Sequence, residues 1–356
     1  MSAAWATPPI SPAPSAALTT NTALASVRDL SVRFRSPRGE VQAVNGVSFD
    51  VQPGEVLGLI GESGCGKSVT LRALMRLLPT QRTHITGGIT VDGLDVMAMD
   101  ERALSAYRGG TASMIFQDPG LALDPVYTIG QQIGEAIVRH TGCSKAQARE
   151  QAQHWLEQVK VPSARARLDN YPHELSGGMR QRAMIALALS CKPKLVLADE
   201  PTTALDATVQ MQVLLILREL QQSLGMGAVF VTHDLGVAAE ICDRIAVMYA
   251  GRMVELGRAE DVLLRPQHPY TQALLASTLH GSMRGTRRAG LPGAPPDLVA
   301  LPAGCAFAER CAHADAACLQ AVPQLLARPG ASAAACWRLD PVPDLAPAPA
   351  LPETSA

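Results

Sequence analysis

The sequence predicts an α/β fold around a parallel sheet, with a helical subdomain inserted in it and a small cysteine-containing domain after it. Three observations lead there. Short apolar runs, "GEVLGLI" (54–60), "KLVLADE" (194–200) and "GAVFVTHD" (227–234), have the length and aliphatic content of buried strands, and amphipathic helical patterns alternate with them. Over about residues 118–192 the pattern is mainly helical, which marks an insertion. Beyond Pro266 the texture turns Gly/Pro/Arg-rich, and four of the chain's eight cysteines follow.

In chain order, residues 1–24 read as a disordered leader, with four prolines and no Lys or Arg before Arg28. They lack both the basic start and the apolar centre of a signal peptide. The main domain is expected over 25–265. "VRDLSVRFR" (27–35) alternates as a half-buried strand does, and Pro53-Gly54 precedes the next strand. After "GESGCGKS" (61–68), Leu71, Leu74, Leu77 and Leu78 recur at helical spacing, with Pro79 as the expected stop. "GGITVDGLDV" (87–96) reads as a strand with a turn, and "ATVQMQVLLILRELQQSLG" (207–225) as a helix between two buried strands. Residues 266–338 form the expected cysteine-containing region, and 339–356 a low-complexity, disordered tail.

The 356 residues suit one to three domains. Hydrophobic content of 47% with 18% charged residues describes a soluble globular chain. A formal net charge of −1 provides no basic field, which argues against nucleic acid as the main partner. No run of about 18 apolar residues is present to span a bilayer as a helix. The reading is therefore a cytosolic chain, a compartment in which disulfides are rare.

"GESGCGKS" satisfies G-x-x-x-x-G-K-[ST] at every fixed position. Glycines let the backbone curl so that successive N–H groups point at phosphate oxygens. Lys67 would reach the β- and γ-phosphates, Ser68 would ligate Mg²⁺, and the following helix would offer its positive end. Asp199, ending the apolar strand "LVLAD", suits Mg²⁺ directly or through water. Glu200 beside it is free to orient or deprotonate a water. The alternative for both carboxylates is simple capping of the next helix.

"LSGGMRQR" (175–182), "FQDP" (116–119), "DEPTTALD" (199–206) and "VTHD" (231–234) stand in order around that loop. With them the chain resembles an ABC ATPase. The resemblance implies a P-loop ABC-type nucleotide-binding domain that hydrolyses ATP with Mg²⁺. ATP would be bound by Gly61, Glu62, Ser63, Gly64, Cys65, Gly66, Lys67, Ser68 and Val69. Ser176, Gly177 and Gly178 would serve the nucleotide of a second, head-to-tail ATPase subunit, identical or homologous, with Asp206 at the seam. Gln117 would contact Mg²⁺ and the attacking water, alongside the Mg²⁺ site of Ser68 and Asp199. Glu200 would be the general base, and His233 would touch the γ-phosphate. Phe34 stands where an aromatic stacks on adenine, or is a core residue of its strand. Met179 departs from the Gln frequent in the family's signature but leaves the glycines and Ser176 in place.

"GRMVELG" (251–257), "HPYTQALL" (268–275), "LPGAPPDL" (291–298), "PAGCAFAERC" (302–311) and the stretch 116–135 resemble the oligopeptide/dipeptide importer ATPases. The likeness implies a peripheral subunit on the cytoplasmic face of the inner membrane. Its partners would be two permease proteins and, indirectly, an external solute-binding protein, with peptides as cargo; nickel, glutathione or another small solute remains open. From another class, a soluble ABC ATPase of DNA repair or translation is the alternative. In that subfamily the late cysteines resemble ligands of a [4Fe–4S] cluster. Their spacing is C-x₅-C-x₆-C-x₁₇-C at Cys305, Cys311, Cys318 and Cys336. Four thiolates equally suit Zn²⁺, with His313 as a possible substitute ligand; free thiols or a disulfide are the remaining readings. Cys65, Cys143, Cys191 and Cys242 read as ordinary core or loop residues.

Overall fold

A computed structural model of the chain describes residues 23–202, 206–279, 291, 293–328 and 331–339. The expected leader up to residue 22 and the tail from residue 340 lie outside the described residues. β1 (Ala25–Ser36) and β2 (Gly39–Val51) pair as an antiparallel hairpin, Phe34 opposite Val41. β3 (Val56–Ile60) is buried throughout and feeds the glycine-rich loop and α1 (Lys67–Leu74). β4 (Thr83–Val91) returns to the free edge of β1, and β5 (Leu94–Asp95) closes a four-stranded sheet in the order β2-β1-β4-β5. α2 (Glu101–Gly110), capped by Asp100, leads into β6 (Ala112–Ile115).

From β6 to the next strand the chain is helical: α3 (Pro119–Ala122), α4 (Ile129–Thr141), α5 (Lys145–Gln158), α6 (Ala164–Arg167), a 3₁₀ turn at Pro172–Glu174, and α7 (Gly177–Leu189). Thr128 and Ser144 open α4 and α5 with reciprocal capping boxes to Gln131 and Gln147. Ile129, Ile133 and Ile137 form the buried stripe of α4 and share one core with Ala148, Ala152 and Trp155 of α5.

β7 (Leu195–Asp199), α8 (Ala207–Leu224), β8 (Gly227–Thr232), α9 (Leu235–Ile241), β9 (Arg244–Tyr249) and β10 (Arg252–Arg258) follow. α10 (Ala259–Leu264) and α11 (Pro269–Leu279) precede α12 (Ala316–Gln320), β11 (Leu326–Arg328) and β12 (Ala331–Ala334). The second sheet has eight strands, β11-β12-β10-β9-β3-β8-β7-β6, and its five strands from β9 to β6 are parallel. Period-two alternation divides it between two cores. Leu195, Leu197, Val229 and Val231 face the β1–β2–β4 sheet and α1, while Val196, Ala198, Ala228 and Phe230 face α7, α8 and α9. Each of the Leu, Val and Phe side chains among them, once buried, contributes about 1.5–3 kcal/mol.

Two expectations shift. α1 ends at Leu74, short of Pro79, because its last carbonyls find other partners. Tyr107 Oη donates to Leu74 O, Arg108 Nε to Met75 O and Arg108 Nη2 to Arg76 O, and Arg76 itself takes a left-handed φ of 49°. Further on, the region after Pro266 adds β11 and β12 to the edge of the sheet through β10, and buries Phe307 in the core of α7 and α8. Its strands are short and rich in Ala, without the alternation that identifies a strand in sequence.

Candidate functional site

The strand β3 delivers the loop 61–66 to the C-terminal edge of the parallel sheet, beside the ends of β7 and β8. In open α/β sheets this edge is where ligands bind. Gly61 and Gly66 cannot be replaced there by ordinary residues. Both have positive φ, 150° and 106°, and an added Cβ would come within 2.2 Å of Met248 O and 2.4 Å of Ala43 O. Thr70 donates the first intrahelical bond of α1, to Gly66 O, so the preceding N–H groups have no partner within the helix. An open cleft lies in front of them, lined by Ala43, Ser63, Gly64, Gly66, Lys67, Ser68, Val69, Gln117, Glu200 and His233.

Lys67 is buried at the base of the cleft, where its Nζ donates to Gly61 O at 2.8 Å and Glu62 O at 3.0 Å. Ser68 Oγ donates to Asp199 Oδ1 at 2.7 Å, which brings the two expected Mg²⁺ residues into direct contact. Burial raises the Asp199 carboxyl above its ordinary range; the Ser68 hydrogen bond opposes that, and the neighbouring Glu200 adds to it. Bound Mg²⁺ would reverse this balance by supplying the missing positive charge. The donor set, a hydroxyl and a carboxylate under a phosphate-binding loop, fits that ion.

Glu200 stands just beyond β7 with a left-handed φ of 45°, a conformation costing a non-glycine residue about 1–2 kcal/mol. Its N–H donates to Val231 O at 3.1 Å, which ties it to β8. Its Oε2 accepts from Gln117 Nε2 at 3.4 Å and lies 3.1 Å from His233 Nδ1. The backbone strain thus turns the carboxylate into the cleft between the ends of three strands. Gln181 of α7 donates through Nε2 to Pro201 O and so supports the same turn from behind.

Five expected residues stand elsewhere. Ser176 caps α7 by accepting from Met179 N, and Ser176 and Gly177 are exposed outside the cleft. Gly178 follows on the same helix. Asp206 caps α8 by accepting from Val209 N at 3.0 Å. Phe34 is half-buried on β1 against the core, and does not line the cleft. Gln117 meets Glu200 rather than Ser68 or Asp199. Sequence reasoning missed Ala43, Gln181 and two residues behind the loop, Tyr270 and Arg310; no local pattern identifies contacts made across so much chain.

The four late cysteines line one void of about 10 Å³ with His268 and His313, room for a single water. All are free thiols, and burial pushes Cys305 up to about 11. Among the described residues no three of these side chains are arranged as metal ligands. The donor chemistry suits a cluster or zinc, but the thiols would have to rearrange to hold either.

The chain matches the ABC transporter family over residues 44–203 and the oligopeptide/dipeptide transporter C-terminal region over residues 254–318. It is 47% identical to the probable peptide ABC transporter ATP-binding protein y4tR of Sinorhizobium fredii, over 90% of this chain and 97% of that one. It is 48% identical to the oligopeptide transport ATP-binding protein OppD of Salmonella typhimurium, over 86% and 91%. With the dipeptide transport ATP-binding protein DppD of Bacillus subtilis it shares 45%, over 88% and 94%. Among solved structures, a dimeric, post-hydrolysis form of the ATP-binding cassette MJ0796 bound to ADP and Pi superimposes with a TM-score of 0.60. That cassette is 26% identical, covering 66% of this chain and 98% of its own.

Proposed function

This chain belongs to the ATP-binding subunits of peptide-importing ABC transporters, and on that premise we propose that its cleft hydrolyses ATP in a head-to-tail dimer that drives two partner permeases. The observation that best supports the reading is the meeting of Lys67, Ser68, Asp199, Glu200, Gln117 and His233 at the phosphate loop. These residues come from four separate stretches of the chain.

The loop N–H groups and Lys67 bind the β- and γ-phosphates. Ser68 and Asp199 hold Mg²⁺, with Gln117 as a further contact, and the ion neutralises phosphate charge when bound. Glu200, held by Gln117 and His233, takes the proton of the attacking water, while His233 faces the γ-phosphate. Ser176, Gly177 and Gly178 have no place in their own chain's cleft, and Ser176 and Gly177 lie exposed, as a helix start must that completes the site of a second subunit. Asp206 would stand at that seam, and Phe34 would stack on adenine. The helices α3–α7 act as the inserted subdomain that carries the signature loop to the partner.

Among the described residues no helix is long and apolar enough to cross a membrane. The reading is of a peripheral subunit at the cytoplasmic face of the inner membrane, under permeases that receive di- or oligopeptides from an external binding protein. Cys305, Cys311, Cys318 and Cys336 would hold a [4Fe–4S] cluster or Zn²⁺ as a folding staple of the small C-terminal domain, a region with little core of its own. What supports this is the convergence of four free thiols on one void. Iron, sulfide and zinc content of anaerobically purified protein tests it, and a metal-free folded protein refutes it.

The experiment for the whole reading is reconstitution of the chain with its permeases in vesicles, assayed for ATP-dependent peptide uptake. Uptake abolished by Lys67→Ala supports it. Absence of ATP hydrolysis by the wild-type assembly, or co-purification with ribosomes or DNA in place of permeases, overturns it.

A further inference from the structure

Glu62, the second residue of the phosphate loop, is gripped from outside the nucleotide-binding elements. Both of its carboxylate oxygens are taken by the guanidinium of Arg310, Nη1 to Oε2 at 2.6 Å and Nη2 to Oε1 at 2.9 Å. Its backbone N–H donates to Tyr270 Oη at 2.9 Å. Its carbonyl accepts from Lys67 Nζ. One residue therefore joins the C-terminal region to the lysine of the phosphate site.

The grip is built rigidly. The Arg310 side chain is only 4% exposed, and its Nη1 also donates to Tyr249 Oη at 3.1 Å. The guanidinium lies 5.7 Å from the Tyr249 ring centre and 5.9 Å from that of Phe307. Tyr249, Tyr270 and Phe307 are themselves mutually packed, with centroids 4.6–5.4 Å apart. Tyr270 is fully buried near the start of α11, where its N–H donates to His268 Nδ1 at 3.0 Å. His268 is in turn fixed by donating its N–H to the buried Glu255 carboxylate at 2.9 Å. Such a fork, with its partner partly shielded from water, is a strong, directional contact. An isolated surface pair would be worth little.

We infer that Arg310 and Tyr270 are positioning residues for ATP: by holding Glu62 at its side chain and its N–H, they fix the curl of the phosphate loop in its nucleotide-binding shape. The inference rests on the ATP-binding reading above. It also gives the thiol void a route to that site, since Phe307, Ala308 and Cys311 line the void on either side of Arg310.

The test measures equilibrium affinity of the full chain for a fluorescent ATP analogue, together with KM and kcat for ATP. Arg310→Ala is expected to weaken binding and raise KM about tenfold, the effect of losing one charge-assisted contact, with kcat nearly unchanged. Glu62→Ala should weaken binding by a similar factor, and the double variant should bind no worse than either single one. Arg310→Lys, which keeps the charge and loses the fork, should fall between. Should Arg310→Ala fail to fold, Tyr270→Phe and Glu62→Gln, which keep the packing, read the same loss. Wild-type affinity in folded single variants, or losses that multiply in the double variant, would overturn the inference. Failure of the wild-type chain itself to bind ATP would strike the ATPase reading instead.

Discussion

His233 Nδ1 lies 3.1 Å from Glu200 Oε2, and Gln117 Nε2 donates to the same oxygen at 3.4 Å. The carboxylate that would take a proton from water is thus fixed from two sides by residues that end different strands. Its backbone is already in a left-handed conformation that aims it into the cleft. Preorganisation of this kind suits a general base, because little has to move at the moment of reaction.

Glu200→Gln keeps the shape and the hydrogen bonds but cannot accept the proton. Hydrolysis should fall by about 10²–10⁴-fold, while ATP binding stays within a few-fold of wild type. Phosphate release and nucleotide titration on one preparation check this. Near-wild-type turnover would remove Glu200 from its role.

Gly66→Ala addresses the loop itself. The new Cβ would meet Ala43 O at 2.4 Å, at a φ of 106° that ordinary residues avoid. Either the loop or β2 must shift, at a cost of about 1–3 kcal/mol. The expected result is a folded protein of lowered stability that no longer retains ATP at concentrations saturating the wild type. Unchanged ATP affinity would show that the loop tolerates a different curl.

How far the sequence discloses this site depends on whether contacts are local. The phosphate loop is legible because its chemistry needs glycines and a lysine at fixed spacing within eight residues. Asp199 and Glu200 are legible because a buried strand ending in two carboxylates is unusual. Strands β3, β7 and β8 declare themselves as apolar runs, and α4 to α7 only as one mainly helical stretch. The early end of α1 was hidden because it depends on Tyr107 and Arg108, more than a turn of chain away and in another helix. The Arg310–Glu62 fork joins positions 248 residues apart, and neither residue type is unusual where it stands. β11 and β12 were hidden because their sequences are short and unpatterned; pairing of β12 on β10, and of β11 on β12, makes them strands rather than propensity.

Ser176 separates a structural from a chemical role. Its side chain caps α7 within its own chain, and the proposed dimer gives it a second task at the partner's γ-phosphate. Ser176→Ala loses the cap and should cost about 1 kcal/mol of stability. Ser176→Asp keeps the cap but sets a negative charge against phosphate, so melting should be preserved while ATPase is lost. Full activity in Ser176→Asp would show that this loop does not meet nucleotide.

His268 gives the fold a defined acid sensitivity. It is 1% exposed, and burial depresses its pKa to about 4 from the ordinary 6.5. Between those values the unfolded chain binds a proton that the folded chain refuses, so stability is fully present above pH 6.5 and falls as pH drops through the window. The nearby buried carboxylate of Glu255 attracts a positive charge, yet it already accepts from the N–H groups of Gln267 and His268 and from Ser332. Burial is therefore expected to dominate, with a loss on the order of 2–3 kcal/mol between pH 7.5 and pH 4.5. Urea unfolding of wild type and His268→Gln at both pH values isolates this contribution from the other titrating groups. The wild type should lose that much more than the variant; an equal loss in both would mean that His268 accepts its proton without unfolding the edge at β10 and α11.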